Sequence, residues 1–231
     1  MDDYNIEIAS FSIRKWNSFT YRSLLSETMK ELESFIFDHF CISSIMQYTI
    51  YLMKIGIDIS QLAHSNTGVA NYLQNLVLNL LEQDKKNEYV LFFSSMRRNF
   101  QSSILNFKSN PKVSIKKFKL PPTALDLLWN RLHIAPIEWF IGDVDIFITS
   151  DWTEPPTRRA KKITILYDLI VYRFPEETSD KIVKTQKRKL KWVKKEISRV
   201  LCISESAMKD AEEILKIPKN KLKVIYPGFS L

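Results

Sequence analysis

The chain has 231 residues, 45% of them hydrophobic, and carries 34 basic against 26 acidic side chains, a formal net charge of +8. That length suits one sizeable core, or one domain with an appendage. Two cysteines, Cys41 and Cys202, do not make a disulfide framework or a metal cluster, so a reducing compartment is expected. The scattered histidines do not favour a metal site either.

The start of the chain does not resemble a secretory signal, because Asp2, Asp3 and Glu7 give the wrong charge for an n-region. The least polar run, residues 41–53, is shorter than the roughly 20 residues that span a bilayer. We therefore expect a cytoplasmic protein, either soluble or peripheral on the inner face of the membrane.

Charge divides the chain into two segments. Residues 1–52 hold 4 basic and 7 acidic side chains, a net −3, which leaves 30 basic and 19 acidic ones, a net +11, for residues 53–231. We interpret residues 1–52 as an N-terminal extension, partly helical around residues 23–40 or without fixed structure, and residues 53–231 as the main domain. A basic domain suits phosphorylated substrates, anionic lipid or nucleic acid, and charge alone does not choose among them.

The main domain opens with a strand, a polar loop and a helix. Isoleucines alternate over residues 54–59, which predicts the strand. From Gly68 to about Leu81 the apolar residues recur at steps of three and four, which predicts a helix with one apolar stripe. Such a unit is the first half of a βαβ motif, and its helix N-terminus attracts anions unless Gly68 serves only as a tight helix entry.

The rest of the chain alternates between strand and helix patterns. Further strands are predicted at residues 89–94, 113–118, 144–149, 162–167, 200–204 and 222–226. Further helices are predicted at residues 97–107, 177–198 and 205–215, and one more follows Pro121-Pro122, capped by Thr123 and carrying Leu127, Leu128, Leu132 and Ile137. The predicted fold class is therefore α/β, a Rossmann-like, mainly parallel sheet with helices on both faces.

In such a sheet, ligands bind outside the carboxyl ends of the strands, so the residues that follow those ends are the candidate ligand residues. The expected binding residues at this rim are Thr67, Gly68, Val69, Asp151, Trp152, Ser204 and Glu205, with Tyr167 and Asp168 beside them. Taken singly, Asp168 and Ser204 suit the role of a helix cap. Their convergence on one edge is what favours a site.

Several other sites are excluded by their motifs. The first turn reads Gly68-Val69-Ala70, not the G-x-G-x-x-G of a dinucleotide fold. The sequence also contains no P-loop, nucleophile elbow or zinc motif.

Four ordered blocks within residues 53–228 resemble the N-terminal half of a GT-B glycosyltransferase of family four. They are residues 53–58 with 67–72 (the opening strand and glycine turn), 165–169 through 174–176, 200–206, and 217–228. The resemblance implies hexosyl transfer from a nucleotide-sugar donor to a glycan or lipid-linked sugar acceptor, as in polysaccharide biosynthesis. It implies that this half holds mainly the acceptor and binds no cofactor itself, and that Trp152 is suited to stacking on a sugar ring, unless it is an ordinary packed tryptophan.

The same resemblance makes Asp168 the candidate catalytic carboxylate. Tyr167 stands where the family usually has histidine, and Ala70 stands where many members have a second glycine. The family's donor-binding half, with its paired glutamates, would follow Leu231, so the 231 residues alone are expected to be inactive. Either a separate donor-domain chain completes the enzyme or the chain is truncated.

The alternative is a non-catalytic binding module. Residues 181–199 hold nine basic side chains against one acidic one, Glu196, which predicts either a solvated basic face or docking to an anionic membrane or a partner chain. The docking candidates are Lys184, Lys187, Arg188, Lys191, Lys194 and Lys195. Nucleic acid is not favoured, because no recognised motif accompanies the charge.

Overall fold

The structure, a computed structural model, describes residues 52–64, 67–98, 110–149 and 152–227. The predicted extension of residues 1–52 lies outside the described residues except for Leu52. So does the predicted helix 97–107, apart from Arg97 and Arg98. Among the described residues, no helix is long and apolar enough to cross a membrane.

Seven parallel strands form one sheet. They are β1 (Lys54–Asp58), β2 (Glu88–Ser94), β3 (Val113–Phe118), β4 (Ile146–Thr149), β5 (Lys161–Leu166), β6 (Arg199–Cys202) and β7 (Leu222–Val224). Their spatial order is β3-β2-β1-β4-β5-β6-β7, and every neighbouring pair is parallel. The order reverses between β1 and β4, which is the place where sheets of this kind bind ligands. The predicted α/β Rossmann-like fold is confirmed.

In the described part of the chain, six helical segments connect the strands: α1 (Gly68–Gln83), α2 (Pro122–Leu125, continued by a π-helix at Asp126–Arg131), α3 (Glu138–Ile141), α4 (Ile170–Arg173), α5 (Asp180–Glu196) and α6 (Glu205–Glu213). Short 3-10 turns lie at Ser60–Ala63, Pro175–Glu177 and Lys219–Lys221. Because a 3-10 turn and extended Thr178 precede Asp180, α5 begins three residues later than predicted.

The helix predicted after Pro121-Pro122 is the main error. Pro121, not Thr123, is its N-cap, and Ile137 lies on a separate segment before α3. Leu127 and Leu132, which the predicted helix carries, are 47% and 55% exposed. In a π-helical turn each backbone hydrogen bond spans one residue more than in an α-helix. The side chains that this turn buries include the polar ones of Asp126 and Asn130.

Side-chain alternation along the strands assigns a different partner to each face of the sheet. On one face, Phe147 packs with Trp129 and Ile141 of the α2–α3 region. Leu166, on the same face of β5, packs with Leu190 and Val193 of α5. On the opposite face α1 approaches β5, where the Tyr72 and Tyr167 rings meet edge to face with centroids 5.7 Å apart.

Candidate functional site

The first part of the candidate site is the N-terminus of α1, which lies at the carboxyl end of β1, on the edge of the sheet that we call the rim. Thr67 is its N-cap: its hydroxyl accepts the Ala70 N–H at 3.2 Å and donates to the His64 carbonyl at 3.1 Å. A Cβ added at Gly68 would meet no atom within 4 Å, so the first turn faces open space, with half-buried Val69 following it. The N–H groups of Gly68 and Val69 have no carbonyl one turn earlier in the helix, which suits them to an anion.

Two tyrosines join α1 to the neighbouring strand ends. Tyr72 contacts Tyr167, directly after β5, and its hydroxyl donates to the Ile225 carbonyl beyond β7 at 3.1 Å. Burial raises the pKa of Tyr72, so the phenol stays neutral. Tyr167, expected beside the binding residues at the rim, is only 9% exposed and belongs to the core. The physical reason is that Tyr167 continues the face of β5 that carries Ile163 and Ile165, and the Tyr72 ring of α1 packs against it.

Asp168 lies at the same edge as Gly68 and is exposed. Its Oδ1 accepts the Ile170 N–H at 3.0 Å, which starts α4. Ser204 is the N-cap of α6, since its hydroxyl accepts the Ala207 N–H at 3.1 Å, so it has the capping role that was one of its two interpretations. Asp168 does not have that role, because the N-cap of α4 is Leu169. Asp168 keeps a second oxygen without a hydrogen-bond partner among the described residues.

The remaining predicted rim residues differ in how exposed they are. Glu205 is exposed and accepts the Tyr226 hydroxyl at 3.4 Å. Trp152 is half-buried, and its backbone carbonyl accepts the Asn130 side-chain N–H at 2.9 Å. Asp151 lies outside the described residues.

A cluster of buried charges under the rim was not predicted. Glu154, in the loop after β4, is fully buried, and its Oε2 accepts the Thr149 hydroxyl at 2.8 Å. Its Oε1 lies 3.3 Å from the Lys162 ammonium, a charge contact without hydrogen-bond geometry. Lys162 also donates to the Pro155 carbonyl at 3.0 Å, so a side chain of β5 fixes the loop that follows β4.

Asp58 and Lys189 extend this cluster to the end of β1. Asp58 is 7% exposed, and its Oδ1 accepts the Ser60 N–H at 2.9 Å. Burial raises the pKa of Asp58; the hydrogen bonds from Ser60 and the charge of Lys189 oppose that rise, and the charge of Glu154 adds to it. The signal in the sequence is a charged residue inside an apolar strand, as in Ile57-Asp58-Ile59.

On the predicted basic helix, five of the six docking candidates are exposed. These are Lys184, Lys187, Lys191, Lys194 and Lys195. Arg188 is half-buried and donates to Asp126 at 2.8 Å, so its charge is already neutralised within the fold. Among the described residues, no group of three acidic, histidine or cysteine side chains could hold a metal ion.

Comparison with protein families gives one match. The model of Glycosyltransferase Family 4 matches residues 66–231, which is most of the chain and begins at the loop before α1. The chain belongs to glycosyltransferase family 4. A search of curated proteins found no match. The matched region contains β2 to β7 of the parallel sheet, and with β1 they form the N-terminal type of GT-B domain.

Two residues differ from those expected in the family, and the structure shows how each is accommodated. Ala70, where many members are expected to have a second glycine, is only 2% exposed. Its methyl group is therefore accommodated inside the fold and does not narrow the open side of the first turn. Tyr167, where the family usually has histidine, is likewise buried, so the exposed group after β5 in this glycosyltransferase domain is Asp168.

Proposed function

We propose that residues 53–231 form the acceptor-side domain of a nucleotide-sugar-dependent hexosyltransferase that acts on a glycan or lipid-linked sugar. The observation that carries the proposal is the family match over residues 66–231. It is supported by the parallel sheet, whose carboxyl edge presents the open first turn of α1 beside exposed Asp168.

The chemistry of glycosyl transfer suits these groups. The reaction develops positive charge at the sugar carbon and negative charge on the departing phosphate. The first-turn N–H groups of Gly68 and Val69 would stabilise a phosphate, or an anionic group of the acceptor. The second oxygen of Asp168 would accept a hydrogen bond from an acceptor hydroxyl and orient it toward the donor.

The buried charges below the rim have a supporting role in this proposal. Lys162 holds Glu154 and the Pro155 carbonyl, and Asn130 holds the Trp152 carbonyl and the Glu154 N–H. The loop that carries half-buried Trp152 is therefore fixed from two sides. A fixed loop lets a sugar ring stack on Trp152 with little loss of conformational entropy.

Acceptor binding is tested on the 231-residue chain by two-dimensional amide NMR during titration with a panel of short oligosaccharides and lipid-linked monosaccharides. A true acceptor should shift the amides of Gly68, Asp168 and Ser204. Asp168→Asn should weaken that binding about tenfold, as expected for one hydrogen bond to a charged group, whereas Asp180→Asn at the start of α5 should not. Shifts spread evenly over the surface would contradict the proposal.

Transfer itself is tested with labelled UDP-, GDP- and ADP-hexoses. The 231-residue chain alone is expected to transfer no sugar, because the resemblance assigns the nucleotide pocket to a separate donor domain. With a donor domain supplied, Asp168→Asn should lower transfer by at least tenfold while circular dichroism is unchanged. Transfer by the chain alone would overturn the assignment of a purely acceptor-side role.

A further inference from the structure

One side of α5 is a row of six exposed lysines: Lys181, Lys184, Lys187, Lys191, Lys194 and Lys195. At about 100° per residue they fall within one arc of roughly 140° of the helix, while Leu190 and Val193 are buried on the other side. The ion pairs formed by described residues do not include any of these six. Their charge is therefore not neutralised within the described part of the chain.

Aromatic rings under the row hold several of its ammonium groups near the helix. The Lys187 nitrogen lies 5.1 Å from the Tyr172 ring centroid, and those of Lys191 and Lys195 lie 5.6 and 5.0 Å from that of Trp192. Trp192 is itself held in place by two contacts. Its ring stacks on that of His133, with ring centroids 3.6 Å apart, and its ring N–H donates to the Asn130 carbonyl at 2.8 Å.

Segments on both sides of α5 carry exposed apolar side chains. The π-helical part of α2 and the segment after it run along one side of α5, as the Arg188–Asp126 and Trp192–His133 contacts show. The α4 segment lies along the other, where Tyr172 meets Lys187. These two segments carry five large apolar side chains that are 43% to 55% exposed, namely Leu127, Leu132, Ile134, Ile170 and Phe174.

This combination favours a lipid surface over other anionic partners. Nucleic acid offers phosphates to the lysines, but its interfaces are polar and would leave the apolar flanks unburied. Protein interfaces are depleted in lysine. A helix with a lysine-rich polar side and apolar neighbours matches surfaces that lie in the headgroup region of an anionic bilayer.

We propose that this side of α5 docks on an anionic bilayer, with the lysines on the headgroups and the flanking apolar side chains at the boundary with the acyl chains. The docking does not depend on sugar transfer, so it can be tested separately. It would also bring the domain to the place where a lipid-linked acceptor is found.

The test is co-sedimentation of the 231-residue chain with vesicles of phosphatidylcholine alone or mixed with phosphatidylglycerol, at 0.1 and 0.5 M NaCl. Binding is expected only with the anionic lipid and should fall at the higher salt. The triple variant Lys184→Gln/Lys187→Gln/Lys191→Gln should bind about a hundredfold more weakly, since each lysine near the surface contributes about fivefold. The matched triple variant Lys86→Gln/Lys119→Gln/Lys219→Gln removes the same charge from other exposed positions and should bind nearly as well as the unaltered chain.

The apolar contribution is measured with Leu132→Ser/Phe174→Ser, which keeps the charge and removes one side chain from each flank. It should weaken binding about tenfold or more, whereas Met96→Ser, on a residue 63% exposed beyond β2, should not. Equal losses in the two lysine triple variants, equal binding to neutral vesicles, or equally tight binding to a DNA duplex would each overturn the proposal.

Discussion

The ammonium nitrogen of Lys162 lies 2.8 Å from Oε2 of Glu196, so the second residue of β5 forms an ion pair with the last residue of α5. Glu196 also meets His133 Nε2 at 3.0 Å, which brings in the segment after α2. Burial alone would raise the pKa of Glu196, but the hydrogen bonds from Lys162 and His133 outweigh it and hold that pKa below its usual range. One buried lysine thus joins the sheet, the rim loop and α5.

Replacing Lys162 by methionine should therefore destabilise the domain by about 3–5 kcal/mol, because it leaves the Glu154 carboxylate buried without a counter-charge. Urea unfolding followed by circular dichroism measures the loss. Lys119→Met, at an exposed loop position, should change the free energy of unfolding by less than about 0.5 kcal/mol. Adding Glu154→Gln to Lys162→Met should recover part of the loss, and a loss below about 1 kcal/mol in Lys162→Met would contradict the role of the pair.

The Asp84 carboxylate makes stability depend on pH. Burial pushes its pKa upward, but the Tyr89 hydroxyl at 2.5 Å, the Asn87 side chain at 2.7 Å and the N–H groups of Lys86 and Asn87 bring the net pKa below its usual range. Because the pKa of Asp84 is lower in the folded protein than in the unfolded chain, the ionised carboxylate stabilises the fold. This stabilisation is complete above the pKa of about 3.9 in the unfolded chain, and it is lost as the pH falls through the pKa in the folded protein.

Asp84→Asn should accordingly destabilise the domain by about 2 kcal/mol at pH 7, the scale of hydrogen bonds to a charged group. The difference from the unaltered chain should shrink as pH falls below 4. Unfolding at a series of pH values measures it, and Glu82→Gln, a nearby exposed change, is the control. A difference that stays constant down to pH 3 would show that the charge of Asp84 is not responsible.

Two glycines should respond oppositely to the same substitution. A Cβ at Gly56 on β1 would lie 2.7 Å from a Phe147 ring carbon and 2.8 Å from the Ile141 Cδ1, so Gly56→Ala should cost about 1–3 kcal/mol through overpacking. At Gly68 the same methyl group meets nothing, so Gly68→Ala should be neutral or stabilising by up to about 1 kcal/mol. Thermal unfolding of both variants checks the pair, and equal shifts would contradict the packing argument.

Asn130 should control the order of the rim loop. Its side-chain N–H donates to the Trp152 carbonyl at 2.9 Å and its oxygen accepts the Glu154 N–H at 3.0 Å. Asn130→Ala should lower stability by about 2–3 kcal/mol, because buried backbone groups lose their partners. Hydrogen exchange of the amides at 152–154 should quicken more than exchange in β2, and uniform quickening would indicate general destabilisation only.

Local sequence pattern was sufficient to locate the strands, because most of them are short apolar runs or alternating segments, and amphipathic helices lie between many of them. The shared edge of Gly68, Asp168 and Ser204 was also predictable, since a parallel sheet places every strand end on one side. The helix after Pro122 was not, because the sequence pattern favours one helix through Ile137, whereas the structure has a π-helical turn at Asp126–Arg131 and a separate α3.

By itself the sequence determined the fold class, the family and the edge of the sheet that carries the candidate site, because these follow from local periodicity and from the order of blocks along the chain. Only the tertiary structure decided the environment of each side chain there. Asp58 lies far from Glu154 and Lys162 in the sequence, and the charges of these residues are compatible with burial only because the fold brings opposite charges and hydrogen-bond partners together. The exposure of Asp168 and the burial of Tyr167, adjacent residues on opposite sides of one backbone, depend in the same way on which elements pack over them.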